Sequence, residues 1–183
     1  MINKKVSFLK IRDVKSPNRA NQHDAGTDFF MPEYTPEFFE ALTKANLKNR
    51  IMYSIVFDTE LNKEVLEVVI PSGEQVNIPS GIKVWIHDKN TYLKATNKSG
   101  IASKKHLDVM ANTIDADYTG EVHLNLCNNG NTDTVLRSGN KVVQFIHMEY
   151  IPTEWEEETE EEYLAHGTTD RGAGGFGSTG LTK

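Results

Sequence analysis

The chain has 183 residues, 38% of them hydrophobic and 25% charged, with a formal net charge of -6. That is room for one ordinary domain, and the negative balance argues against an extended nucleic-acid surface, which needs clustered Lys and Arg. No apolar run approaches the ~20 residues that cross a bilayer, charged residues interrupt Met1–Lys15 where a leader would lie, and the single Cys127 can close no internal disulfide. The expected setting is therefore the cytoplasm (of a host, if the source is viral), with neither nucleic acid nor membrane as partner.

In chain order, Lys4–Ile11 reads as a strand containing Val6, Phe8 and Leu9. Thr35–Leu47 is the best helix candidate: Thr35 can cap it, Pro36 suits its first turn, and Phe38, Phe39, Leu42 and Leu47 fit one apolar face. Strands are expected near Tyr53 and over Leu61–Ile70, which runs into a turn at Pro71-Ser72-Gly73-Glu74. Pro79-Ser80-Gly81 reads as a second turn, followed by a strand at Lys83–Ile86. Glu121–Cys127 alternates, with Val122, Leu124 and Leu126 on one face and His123, Asn125 and Cys127 on the other. A last strand, Lys141–Met148, follows a turn at Ser138-Gly139-Asn140. Short strands separated by turn signals predict an all-β sandwich or barrel. The acidic run Glu154–Glu162 reads as a solvated linker or a short exposed helix. Gly167–Lys183 carries six of the thirteen glycines and cannot bury a core of its own.

Several segments could carry chemistry. The tail from Arg171 to Gly180 satisfies a bare GxGxxG, but neither a strand-turn-helix unit nor a Gly-Lys-Ser/Thr accompanies it, so the dinucleotide and P-loop readings fail. Its glycines could still bring backbone N–H groups to phosphates, beside the hydroxyls of Ser178 and Thr179, the guanidinium of Arg171 and the flat face of Phe176. The alternative is a flexible linker. Ile114–Glu121 opens like a calcium loop, but its twelfth position is Leu126 where a bidentate Glu is required. It reads as a hairpin turn, or as a turn that presents a carboxylate to a water beside a substrate. Lys98, Ser99 and the Gly100 amide could form an anion site or a plain polar turn.

Taken together and in order, these segments resemble the five motifs of the trimeric dUTPase family. Ala25-Gly26-Thr27-Asp28-Phe29 is similar to AGxDL, and Lys98-Ser99-Gly100-Ile101-Ala102 to RSGLA. Asn112–Gly120 is similar to GxIDxDYxG, Gly139–Phe145 to GDRIAQL, and Arg171–Gly180 to RGxGGFGSTG. Lys98 stands where the family usually has Arg, which keeps the charge and loses the planar fork. Asn112 replaces a glycine, and Asn140 replaces an acid. The long gap between Asp28 and Ser99 holds extra material, an insertion of the kind seen in bacteriophage members.

The resemblance implies a β jelly roll over residues 1–166, with a small helical insertion around 33–70 and a C-terminal arm, 167–183, that closes an active site. It implies a homotrimer with shared sites, hydrolysing dUTP to dUMP and pyrophosphate. Asp115 would orient and deprotonate the water that attacks the α-phosphorus. Mg2+ would ride on the triphosphate, with no direct protein ligand. Lys98, Ser99, Gly100 and Gln144 would meet the phosphates, and Arg171, Gly177, Ser178 and Thr179 would complete the clamp. Backbone groups at Asn112, Thr113, Ile114 and His123 would read the uracil edge. Tyr118 would pack under the deoxyribose, Phe176 would stack on the base, and Asp28 would support the second motif. Two alternatives stand beside this reading. A dCTP deaminase of the same fold needs a glutamate in the strand after the third motif, and the corresponding position here is Asn125. A nucleotide-gated regulatory module could engage a protein partner through the insertion or the acidic run.

Overall fold

A computed structural model describes residues 4–175, which divide into two compact units, with the boundary between Ile151 and Pro152. The first unit holds strands β1 (Val6–Lys10), β2 (Thr27–Phe30), β3 (Met52–Asp58), β4 (Lys63–Ile70), β5 (Gln75–Ile86), β6 (Thr91–Thr96), β7 (Leu107–Val109), β8 (Thr113–Ile114), β9 (Glu121–Asn128), β10 (Thr134–Arg137) and β11 (Lys141–Glu149). Helix α1 spans Pro36–Ala45 and α2 spans Ser99–Lys105. The strands form three antiparallel sheets, ordered β1-β5-β9-β7, β10-β4-β3 and β2-β11-β6-β8. This is an all-β, dUTPase-like jelly roll. Among the described residues no helix is long and apolar enough to cross a membrane.

Strand β9 alternates as expected. Val122, Leu124 and Leu126 are buried in the main core, and Asn128 continues the buried face. Each such apolar side chain contributes ~1.5–3 kcal/mol relative to exposure. Helix α1 starts where its cap predicts: the Thr35 hydroxyl accepts the Phe38 amide at 3.1 Å, and Pro36 occupies the first turn. Phe38 and Leu42 are fully buried, and Phe39 meets Tyr53 of β3 edge-on at 5.5 Å. Leu47 does not join this face. It lies beyond the C-cap, Asn46, and is 82% exposed.

Asn46 is one of the few buried polar residues. Its side-chain amide donates to the carbonyls of Leu42 and Asn77, both at 2.8 Å, and its oxygen accepts the Asn77 N–H at 2.8 Å. It pairs with β5 as another strand would, and so ties the end of α1 to that strand.

The turn expected at Pro79-Ser80-Gly81 is a bulge inside one long strand. The β5–β9 register shifts between Pro79 and Lys83, and Gly81 takes φ +74°, with Arg12 so close that a Cβ there would sit 2.9 Å from it. The chain continues because outside groups satisfy the bulge. The Gly81 amide donates to Glu121 Oε1 at 2.7 Å, its carbonyl accepts the Ile11 amide at 2.8 Å, and Arg12 grips the same Glu121 with two 2.9 Å bonds. The turn at Pro71–Glu74 is where expected, with Gly73 at φ +77°. In the second unit the end of the acidic run opens the short exposed helix α3 (Glu160–Ala165). Thr159 and Glu162 form a reciprocal capping box, and three glutamates lie in the first turn, where the helix dipole favours them.

Candidate functional site

The expected phosphate-contacting residues of the first unit gather at one end of the β2-β11-β6-β8 sheet. Gln144 of β11 lies opposite Asp28 of β2 and opposite Thr96 of β6, and Asn97, Lys98 and α2 follow directly. Asp28 is buried and paired with two ammonium groups, Lys98, and Lys141 at 2.9 Å. Burial pushes the Asp28 carboxyl up, but the hydrogen bonds from Lys98 and Lys141 outweigh it and hold the group below the usual Asp value. Two cations and one carboxylate leave one net positive charge. Gln144 donates one amide hydrogen to the Asn97 carbonyl at 2.9 Å. A Cβ on Gly26 would lie 2.3 Å from Gln144 Oε1, so a larger residue there would push the Gln144 amide from this position. Lys141 was not among the residues expected from sequence. Its signal was its place in the fourth motif, where the position could carry a cation.

The segment from β7 to β9 builds a different feature. β7 pairs with β9, but after Met110 the chain crosses sheets, and β8 pairs with β6 instead. No ladder joins β8 to β9 among the described residues. The hairpin is therefore splayed. Beyond the Met110 amide bond to the Asn125 carbonyl at 3.1 Å, no strand among the described residues pairs with the outer edge of β9, where His123 lies. β8 is likewise the edge strand of its own sheet, although the Asn112 carbonyl is already taken by the Ala95 amide at 2.7 Å. Unpaired backbone donors and acceptors flanking a slot can read the edge of a planar base.

Asp115 follows β8 in the connecting loop. It is exposed, and among the described residues no hydrogen bond or ion pair holds its carboxylate. Its main-chain carbonyl accepts the Tyr118 amide at 3.1 Å. Tyr118 turns back, its hydroxyl donating to the Glu121 carbonyl at 2.8 Å, and its ring lies against Gly120, where a Cβ would fall 2.5 Å from that oxygen. Tyr118 as a whole stays exposed, available to a ligand face.

The register separates the Asp115 loop from the Lys98 end of the same sheet. Ile114 is opposite Leu93, which puts Asp115 level with Tyr92, while Lys98 lies six residues further along the same strand direction. At ~3.3 Å per residue that is at most roughly 20 Å along the backbone, about twice the length of an extended triphosphate. In the second unit Arg171 donates to the Gly174 carbonyl at 2.9 Å, and Gly172 turns at φ +52°. Phe176, Gly177, Ser178 and Thr179 lie outside the described residues.

The dUTPase family model matches residues 46–180. The chain belongs to the dUTPase family. It is 38% identical over 115 residues to a deoxyuridine 5'-triphosphate nucleotidohydrolase of Oryza sativa subsp. japonica, a match covering 63% of this chain and 64%, just under two thirds, of the rice protein. An enzyme of the same name from Paramecium bursaria Chlorella virus 1 is 33% identical over 117 residues, covering 64% of this chain and 79% of the viral one. In overall fold it is similar to the dUTPase of Staphylococcus bacteriophage 80alpha, solved with dUpNHpp. The TM-score is 0.65 at 20% identity, covering 97% of this chain and 99% of that one. A mutant dUTPase of S. aureus phage phi11, in which a structural Mg(II) ion is coordinated, gives a TM-score of 0.59 at 18% identity, covering 85% and 97%.

Proposed function

We propose that the protein hydrolyses dUTP to dUMP and pyrophosphate, with Asp115 as the base and the active site shared between subunits of a homotrimer. The observation that carries the reading is the exposed, unpaired Asp115 carboxylate beside a hairpin whose two arms pair into different sheets. Uracil enters the slot between Asn112–Ile114 and His123. A base with the wrong edge leaves those backbone groups unpaired, which discriminates strongly. Tyr118 packs under the deoxyribose. Asp115 accepts a proton from water as the water oxygen bonds to the α-phosphorus. The bond from that phosphorus to the α,β-bridging oxygen breaks, and pyrophosphate leaves.

Lys98, Ser99, Gly100 and Gln144 meet the phosphates, and Arg171, Gly177, Ser178 and Thr179 close over them while Phe176 covers the base. Positioning and charge neutralisation are what phosphoryl transfer chiefly needs. Among the described residues no group of three or more His, Cys, Asp or Glu is placed to hold a metal. Mg2+ would ride on the triphosphate, with phosphate oxygens and water as its ligands and no direct protein ligand, and would neutralise charge there. The separation of Asp115 from Lys98 supports the trimer, since a second chain must bring its own Lys98 to this Asp115. The insertion is the proposed surface for any protein partner, because the outer strand β3 leaves Ile55 and Phe57 exposed.

Asp115→Asn tests the reaction. Turnover of dUTP should fall by ~10²–10⁴-fold, the usual worth of a general base, while dUTP binding measured by calorimetry persists. Near-normal turnover would remove Asp115 from the mechanism.

A further inference from the structure

The turn His87-Asp88-Lys89-Asn90 joins β5 to β6 and is fixed from several sides. The Asp88 carboxylate accepts the Asn90 amide at 3.0 Å and pairs with Lys4 at 2.7 Å. The Asp88 carbonyl accepts the Thr91 hydroxyl at 2.7 Å, and the His87 amide donates to the Lys5 carbonyl at 3.3 Å. From the far end of β11, the Tyr150 hydroxyl donates to the Lys89 carbonyl at 3.0 Å and its amide to the Asn90 carbonyl at 3.3 Å. This is a rigid mount. From it the Lys89 side chain passes over the Trp85 ring, its ammonium 4.9 Å from the ring centroid. That ammonium donates to the Ala116 carbonyl at 2.8 Å and pairs with the Asp117 carboxylate at 2.8 Å. Ala116 adjoins Asp115 in the chain, and Asp117 follows it.

The loop is weakly tied by itself. Its own polar bonds are the Tyr118 amide to the Asp115 carbonyl and the Tyr118 hydroxyl to the Glu121 carbonyl. Lys89 supplies from outside the hairpin what the loop lacks: a fixed point for the Ala116 peptide and a charge paired with Asp117. The same ammonium lines an open cleft with Asp115, Asp117 and Thr113.

We propose that Lys89 is a positioning residue that holds the Asp115–Asp117 loop so that Asp115 faces the attacking water. This rests on the reading of Asp115 as the base. Lys89 acts through its grip on the loop, with no contact to substrate. The ion pair is partly exposed and worth little as stability. Its value is geometric, since small misplacements of a catalytic group cost rate disproportionately.

The test uses the full chain and two variants. Lys89→Met keeps the stem over Trp85 and removes the ammonium, and Lys89→Arg restores a cation. Lys89→Met should lower kcat for dUTP by roughly threefold to tenfold, with KM changed less than about twofold. Amide exchange at Asp117 and Tyr118 should quicken, and the melting temperature should stay within about 2 °C. Lys89→Arg should recover most of kcat. In an Asp115→Asn background, Lys89→Met should cost nothing further. Unchanged kcat and exchange in Lys89→Met would overturn the proposal. So would a raised KM at constant kcat, which would make Lys89 a substrate contact, or full additivity with Asp115→Asn. If the wild-type chain releases no pyrophosphate from dUTP, the reaction assigned above falls, and the exchange measurement alone still decides whether Lys89 holds the loop.

Discussion

At the scale of single residues, Asp28 shows how a buried charge organises a site. Its carboxylate is shielded from water, and isolated there it would be driven towards its neutral form. Lys98 and Lys141 reverse that, one from the start of the second motif and one from the fourth. Because the folded-state value is depressed, this arrangement stabilises the fold at pH above the ordinary Asp value of 3.8, and the contribution is lost as pH falls through the lower folded-state value. Asp28→Asn should therefore destabilise the protein at neutral pH by about 1.5–3 kcal/mol, the worth of hydrogen bonds to a charged group. Urea denaturation at pH 7 and at acid pH checks this. The gap between wild type and variant should close once the pH falls below the depressed folded-state value, and a gap that persists there would mean that Asp28 matters through shape and not charge. The motif resemblance marked Asp28 as a support, but the partnership with Lys141 could not be read, because a cation in one strand and a carboxylate in another are joined only by the pairing of β2 with β11.

Elements were legible to the extent that local signals decide them. Strand β9 declares itself because one face is buried, so the period-two pattern of Val122, Leu124 and Leu126 survives. Helix α1 declares its start through Thr35 and Pro36. Helix α2 carries no such signal: it buries no residue, and Lys98 makes no side-chain cap bond, so it read as a polar turn. The β5 bulge reads as a turn for another reason. Whether a Pro-Ser-Gly segment reverses or continues depends on Glu121, forty residues away, reaching the Gly81 amide. Asn46 belongs with these long-range devices. Asn46→Ala would leave the Asn77 N–H and C=O beside a cavity, at ~1–3 kcal/mol for each buried group left unsatisfied. The expected loss is ~2–4 kcal/mol, or a fall in Tm of roughly 5–15 °C for a chain of this size. Asn46→Asp should be at least as damaging, because it turns an acceptor towards the Leu42 and Asn77 carbonyls. Scanning calorimetry of both variants tests the assignment, and two variants as stable as wild type would show that α1 docks by its apolar face alone.

For the whole molecule, the arrangement of β6 is decisive. The strand carries the Asp115 loop beside its beginning and delivers Lys98 beyond its end, roughly 20 Å away by the rise of an extended chain. On the proposed reading each chain supplies two half-sites to different neighbours, and a closed ring of identical chains would complete all of them at once. Complementation follows. Asp115→Asn should be inactive through its base, and the double variant Lys98→Gln/Gln144→Ala through its phosphate contacts. Neither should recover alone. Unfolded together at equal concentration and refolded into random trimers, the two should regain activity. Each site then draws its Asp115 from one chain and its Lys98 and Gln144 from another, so about a quarter of the sites receive both intact halves. Titrating the ratio of the two variants should give a maximum at equal proportions. Were both halves to come from the same chain, every site would carry one lesion and no mixture would recover. Size-exclusion chromatography with light scattering on the mixtures separates this outcome from failed reassembly: trimers that form and stay inactive at every ratio would place the base and the phosphate contacts on the same subunit.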